Sequence, residues 1–131
     1  MKNTRQGVSK LSLDTSIPTA VVRLFRQLNR VHNKALKPLG LSTVQAHILS
    51  ALFTEGAMTS GNLQRRLAMG SSTLTGALDR MEKSGLVSRR PIPADRRASQ
   101  LVPVAWNKAR RERFLTLLTD TENTCLRGLT R

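Results

Sequence analysis

The sequence predicts a mainly α-helical chain with one two-stranded hairpin, an α+β fold, on three observations. Apolar residues recur at helical spacing through most of the chain. That period breaks only between Leu86 and Val104, and Gly, Pro and hydroxyl residues punctuate the helical runs at short intervals. At 131 residues the length fits one domain, enough to bury a core without cross-links.

Residues 1–16, MKNTRQGVSKLSLDTS, are polar and basic and read as a flexible arm. Helical periodicity begins behind Ser16 as a cap, with Pro18 in the first turn. Over residues 17–38, Val21, Leu24, Phe25, Leu28, Val31, Ala35 and Leu36 make an apolar face. Arg23, Arg26, Arg30, Lys34 and Lys37 make a basic stripe, read either as a solvated face or as a surface for DNA or an acidic partner. Lys37-Pro38-Leu39-Gly40 ends this helix, and Ser42 or Thr43 caps a second. The second helix turns Val44, Ile48, Leu49 and Leu52 inward and stops at Gly56. A short third helix starts at Thr59 or Ser60, shows Leu63 and Leu67 one turn apart and ends by Gly70. The fourth begins at Ser71-Ser72, buries Leu74, Ala77, Leu78 and Met81, and closes at Gly85.

Leu86–Arg90 and Ala98–Val104 then read as two short strands around a turn, with Pro103 at an edge or strand end. From Trp106 the pattern is helical again, first basic through Lys108, Arg110, Arg111 and Arg113. A weaker stripe of Phe114, Leu117, Leu118, Thr121, Cys125 and Leu129 follows, so residues 105–131 form a C-terminal helix.

Composition narrows the function. Lys and Arg number 22 against 8 acids, a net charge of +14, which costs compactness unless a partner uses the field. Nucleic acid is the leading partner and an anionic membrane surface the second. With no Tyr, one Trp and three Phe, stacking platforms for single strands are scarce, which favours duplex DNA. The lone Cys125 excludes an internal disulfide framework and any thiolate cluster. No membrane span or signal sequence is legible, so a soluble cytoplasmic chain is expected. No Gly-rich phosphate loop or catalytic triad spacing supports an enzyme, and no cofactor is expected. His32 and His47 lie on different helices without an acidic or thiol cluster in sequence, so no metal site is expected.

Two short helices joined by a Gly-containing turn and followed by a hairpin make a winged helix-turn-helix. In such modules the second helix enters the major groove with its N-terminal half at the bases. Thr73, Gly76 and Arg80 share one outward line there, flanked by Ser72, Thr75 and Asp79. Ser71 reads as the N-cap or as a contact to DNA; hydroxyls at a helix N-terminus suit phosphate and base-edge hydrogen bonds. The hairpin segment RRPIPADRRASQ packs Arg89, Arg90, Arg96 and Arg97 around Asp95, dense like charge for a solvated loop and apt for a finger on a polyanion.

From Leu39 to Val102 the chain resembles the multiple-antibiotic-resistance-regulator (MarR) family. The matching features are LGL-S-x-x-Q, the LxRRL helix, S-S-T-L-T, D-R-M-E-K-x-G-L-V, and R-R-x-x-x-x-x-D-R-R-A. The resemblance implies a dimeric transcription factor, usually a repressor, released by a ligand or oxidant. It assigns residues 39–104 to DNA binding and helices 17–38 and 105–131 to dimerisation. It places Arg97 in the minor groove with Asp95 orienting it or a neighbouring backbone, and makes Arg89, Arg90 and Arg96 partners of phosphates or of the fold. It further implies a small aromatic anion between the dimerisation helices and the DNA-binding lobe, with Arg23, Arg26, His32 or Arg113 in reach. Two departures stand out. Gly76 replaces a larger, often polar residue, which implies weaker direct readout at that step and more reliance on the wing. The chain stops at Arg131, where relatives continue into a final helix, which implies a smaller or arm-swapped dimer interface. Cys125 lies far from the N-terminal position of the family's redox cysteines and is expected to be structural. The competing reading is a nonspecific DNA-binding or protein-interaction module without ligand response.

Overall fold

The computed structural model describes residues 16–129; the basic arm before Ser16 lies outside the described residues. The order is α1 (Ile17–Leu36), a 3-10 turn (Lys37–Leu39), α2 (Thr43–Glu55), α3 (Ser60–Leu67), α4 (Ser71–Lys83), β1 (Val87–Ile92), β2 (Asp95–Pro103) and α5 (Lys108–Leu129). This is the winged helix-turn-helix arrangement expected from the sequence.

Hydroxyl side chains start three helices. The Ser16 hydroxyl accepts from the Thr19 N–H at 3.3 Å, and Thr59 accepts from the Asn62 N–H at 3.1 Å. Ser42 and Gln45 close a reciprocal capping box, with bonds of 3.2 and 3.0 Å that satisfy two otherwise orphaned donors. Gly40, at φ 67°, lets the chain reverse after the 3-10 turn, a left-handed conformation that costs a side-chain residue energy. The α4 start departs from expectation: its N-cap is Gly70 with no side-chain cap, and Ser71 is the first helical residue. Gly70 already has the extended backbone a cap position needs, which pushes Ser71 one place into the helix.

The hairpin also differs from its expected bounds. Both strands run closer to the turn, which shrinks to Pro93-Ala94, so Asp95, Arg96 and Arg97 belong to β2. The antiparallel ladder pairs Val87 with Pro103, Arg89 with Leu101 and Pro91 with Ser99, then shifts register between Pro91 and Ile92. Pro91 lacks an N–H, and the missing donor hides this stretch from a propensity reading. A further bridge joins Met58, between α2 and α3, to Leu101, through bonds of 2.7 and 3.4 Å. It ties the wing's base to the helix-turn-helix.

The core lies between α2, α3, α4, the hairpin base and α5, around Ile48, Leu49, Leu63, Leu78, Met81, Leu101 and Phe114. Phe53, Trp106 and Phe114 stack edge to face, with ring centroids 5.1 to 5.7 Å apart. The Arg110 guanidinium covers Trp106 at 4.2 Å, while Arg111 lies over Phe53 and donates to its carbonyl. Asn107 caps α5 by accepting from the Arg110 N–H at 2.8 Å. The first helix behaves differently. Leu36 and His32 are buried on it, yet Ile17, Val21, Val22 and Phe25 stand 47 to 79% exposed, an apolar face that no described element covers. No described helix is long and apolar enough to cross a membrane.

Candidate nucleic-acid interface

Burial of Leu74, Ala77, Leu78 and Met81 fixes the roll of α4, because residues three and four apart share a helix face. The opposite face therefore presents Ser71, Ser72, Thr73, Thr75 and Arg80 to solvent, with Gly76 half-buried between them. Without a side-chain cap, the first-turn N–H groups point outward beside three hydroxyls, and the helix dipole adds positive potential there. Arg66 pairs with Glu55 at 2.5 Å, joining α3 to α2 and setting the helix beneath α4.

The Arg80 guanidinium folds back along its helix until Nη1 lies 3.4 Å from where a Cβ on Gly76 would stand. The bare glycine thus leaves a flat step on the helix, partly roofed by Arg80. Asp79 and Glu82, on the side facing the wing, are both taken by Arg89. Its Nε donates to Glu82 Oε2 at 3.0 Å and its Nη2 lies 3.6 Å from Asp79. Of the two roles left open for Arg89, the fold-stabilising pair is the one observed: it ties β1 to α4.

At the wing tip, Asp95 Oδ1 accepts the Arg97 backbone N–H at 3.0 Å. The acid therefore holds the backbone that carries Arg97, and among the described residues the guanidinium has no ion pair. Arg90, Arg96 and Arg97 are exposed, and among the described residues none of them has an ion pair. Wing tip and α4 face together form a positive surface on which Arg89 pairs with the two acids of α4, Asp79 and Glu82.

A second constellation lies away from that surface, where α1, α2 and α5 meet. His32, 7% exposed, bonds through Nδ1 to the Leu28 carbonyl and through Nε2 to Glu122, both at 2.8 Å. His47 of α2 stands edge-on to it, with ring centroids 6.4 Å apart. Although His47 is exposed at the cavity mouth, partial burial pushes its pKa below the usual imidazole value; His32 adds to this and Glu122 opposes it. These groups, with Ser50, Thr54, Thr119 and two leucines, line a cavity of about 450 Å³. Sequence spacing gave His32 no acidic neighbour because Glu122 is 90 residues away. The helical spacing of Leu28, His32 and Leu36 was the signal that places His32 on the inner face. Among the described residues no group of three ligating side chains could hold a metal ion. His32, which the resemblance places within reach of a small anionic ligand, bonds the Glu122 carboxylate. A second groove of about 440 Å³ between α1 and α5 is lined by Leu24, Leu28, Val31, Thr124 and the half-buried Cys125.

The sequence pattern of the MarR family matches residues 41–99, spanning α2 through the wing. The uncharacterized HTH-type transcriptional regulator YcgE of Bacillus subtilis is 30% identical over 116 residues, covering 85% of this chain and 75% of the relative. The chain belongs to the MarR family. An uncharacterized HTH-type regulator of Mycobacterium leprae is 35% identical over 125 residues, covering 86% of this chain and 82% of its own. A probable transcriptional regulator from Pseudomonas aeruginosa superposes with a TM-score of 0.76 at 23% identity, covering 88% of this chain and 86% of that one. A cysteine-to-serine variant of E. coli MarR in complex with operator DNA gives 0.75 at 23% identity, covering 89% and 86%. The MarR fold thus extends over α1 and α5 as well as the DNA-binding module, and the relatives are transcriptional regulators rather than enzymes.

Proposed function

We propose that this MarR-family chain is a homodimeric, sequence-specific regulator of transcription that binds double-stranded DNA with α4 in the major groove and the wing at the minor groove. The observation that carries this reading is the exposed arginine cluster at the wing tip, Arg90, Arg96 and Arg97, which has no ion pair among the described residues, with Asp95 holding the backbone under Arg97. Arg97 enters the minor groove, where narrow A·T-rich segments concentrate negative potential. Arg90 and Arg96 flank it on the phosphates. Ser71, Ser72, Thr73 and Thr75 bond phosphates and base edges at the α4 N-terminus, and Arg80 reads the groove beside the bare Gly76 step. Arg89 and Asp95 act as positioning residues.

The exposed apolar face of α1, with Leu126 of α5, supports dimerisation through residues 17–38 and 105–131, leaving 39–104 as the DNA-binding unit. The cavity where α1 and α5 meet α2 supports release by a small ligand, as expected of a repressor. Genomic DNA recovered on the protein tests the reading. Enrichment of a palindrome whose half-sites lie about one helical turn apart is the expected result. Recovery of fragments without a shared motif would leave only nonspecific binding.

A further inference from the structure

We propose that Gly76 is the positioning residue for Arg80, and that Arg80, laid along α4 across the bare glycine, selects a guanine in the major groove, a role that rests on the placement of α4 proposed above. Thr73, Gly76 and Arg80 share one face of the helix, about a turn apart. A recognition helix meets the bases with its N-terminal half, whereas Arg80 sits in the C-terminal half of α4, near its end at Lys83. A helical side chain leans back over the turn before its own Cα. An arginine at 80 therefore gets to the bases by running over position 76. Arg80 does run there: its Nη1 lies 3.4 Å from where a Cβ on Gly76 would stand. Apart from chain neighbours and the backbone of α4, no other atom comes within 4 Å of that point. A γ-carbon at 76, one bond further out, would take the space the guanidinium uses.

No acid of the same helix draws that guanidinium away. The two acids of α4, Asp79 and Glu82, pair with Arg89, and among the described residues Arg80 has no ion pair. A guanidinium offers five N–H donors in a fixed fork and no acceptor. In the major groove guanine presents two acceptors side by side, N7 and O6. Adenine sets its N6 amino donor beside N7, cytosine presents a donor, and thymine pairs one acceptor with a methyl group. The fork of Arg80 thus matches guanine and meets a donor or a methyl group on every other base. The side chain missing at 76 is replaced by one reaching in from 80, and the glycine keeps the path open.

The test uses the whole chain and a duplex recovered from genomic DNA, with each base pair of both half-sites changed in turn to the other three. The unaltered chain should prefer guanine at one position of each half-site by roughly 5- to 150-fold, the range of a single bidentate contact. Arg80→Ala should flatten that position alone and leave the slope of log affinity against log salt unchanged, since a base contact displaces no phosphate counterion. Gly76→Leu keeps Arg80 yet should flatten the same position. Gly76→Ala should retain the preference, because its Cβ meets Nη1 at ordinary contact distance. A chain with both Gly76→Leu and Arg80→Ala should bind no worse than Arg80→Ala alone, since the two residues act as a unit. Circular dichroism should show full helix content in every variant, and Gly76→Met takes the place of Gly76→Leu if the branched side chain prevents folding. A Gly76→Leu protein that keeps its guanine preference, or a double variant much weaker than Arg80→Ala, overturns the positioning role. If Arg80→Ala weakens every duplex equally and lowers the salt slope by about 0.9, Arg80 is a phosphate contact and the guanine readout is wrong. An unaltered chain with no preferred site retires the placement of α4 at the bases, and the guanine readout with it.

Discussion

Replacing Arg89 with alanine separates two kinds of arginine that composition alone cannot tell apart. Arg89 holds Glu82 at 3.0 Å and Asp79 at 3.6 Å, with its own side chain 36% exposed and those of Glu82 and Asp79 32% and 57% exposed. Exposed pairs contribute about 0.2–1 kcal/mol each, screened by water and salt. One arginine shared by two carboxylates therefore supports a loss near 1 kcal/mol, or roughly 3–6 °C in melting temperature for a chain of this size. A second effect falls on DNA affinity, because the two acids of α4, Asp79 and Glu82, become unpaired and repel phosphate. The salt slope should hardly move, since Arg89 neutralises carboxylates and not phosphates. Arg90→Ala and Arg96→Ala should do the reverse, leaving the melting temperature alone and reducing the slope of log affinity against log salt by about 0.9 each. Thermal melts and duplex binding at several salt concentrations read both quantities. If Arg89→Ala keeps its melting temperature and loses about one unit of salt slope, Arg89 is a phosphate contact and the wing-to-helix tie is wrong.

Three further outcomes can be checked. Gly76→Ala should stabilise α4 by about 0.5–1 kcal/mol, since a Cβ there meets Arg80 only at ordinary contact distance; a melting curve shows it, and a drop in stability would reveal tighter packing than 3.4 Å. Phe25→Glu places a charge on the exposed apolar face of α1 and should convert a dimer to monomer in sedimentation without lowering helix content. His47 has its folded-state pKa depressed, so it contributes stability that is fully present above the unfolded value of about 6.5 and lost as pH falls below it. His47→Gln should flatten that acid limb of the melting profile; an unchanged limb would assign it to other groups.

Much of this was legible in the letters, for identifiable reasons. Helical spacing is set by local geometry, so Leu74, Ala77, Leu78 and Met81 revealed both α4 and its buried side before any contact was known. Hydroxyl caps at Ser16, Ser42 and Thr59 act over three residues and were readable for the same reason. Ser71 misled because it follows a glycine whose backbone already serves as the cap. The wing's arginines were visible as charge, but their division of labour was not. Arg89 finds its acids on α4 across the hairpin base, whereas Arg97 is held by Asp95 two residues away. The His32–Glu122 bond and the Met58–Leu101 bridge join segments far apart in sequence, and only tertiary packing brings them together.

The central claim, recognition through the wing of a winged helix-turn-helix, rests most directly on Arg97. A competition titration at one fixed salt concentration, using a duplex recovered from genomic DNA against bulk DNA, measures it. The unaltered chain should prefer its site by at least about a thousandfold. Arg97→Ala should lose most of that preference while melting at the same temperature, because the guanidinium has no ion pair among the described residues. An Arg97→Ala protein that keeps the full preference would contradict the account.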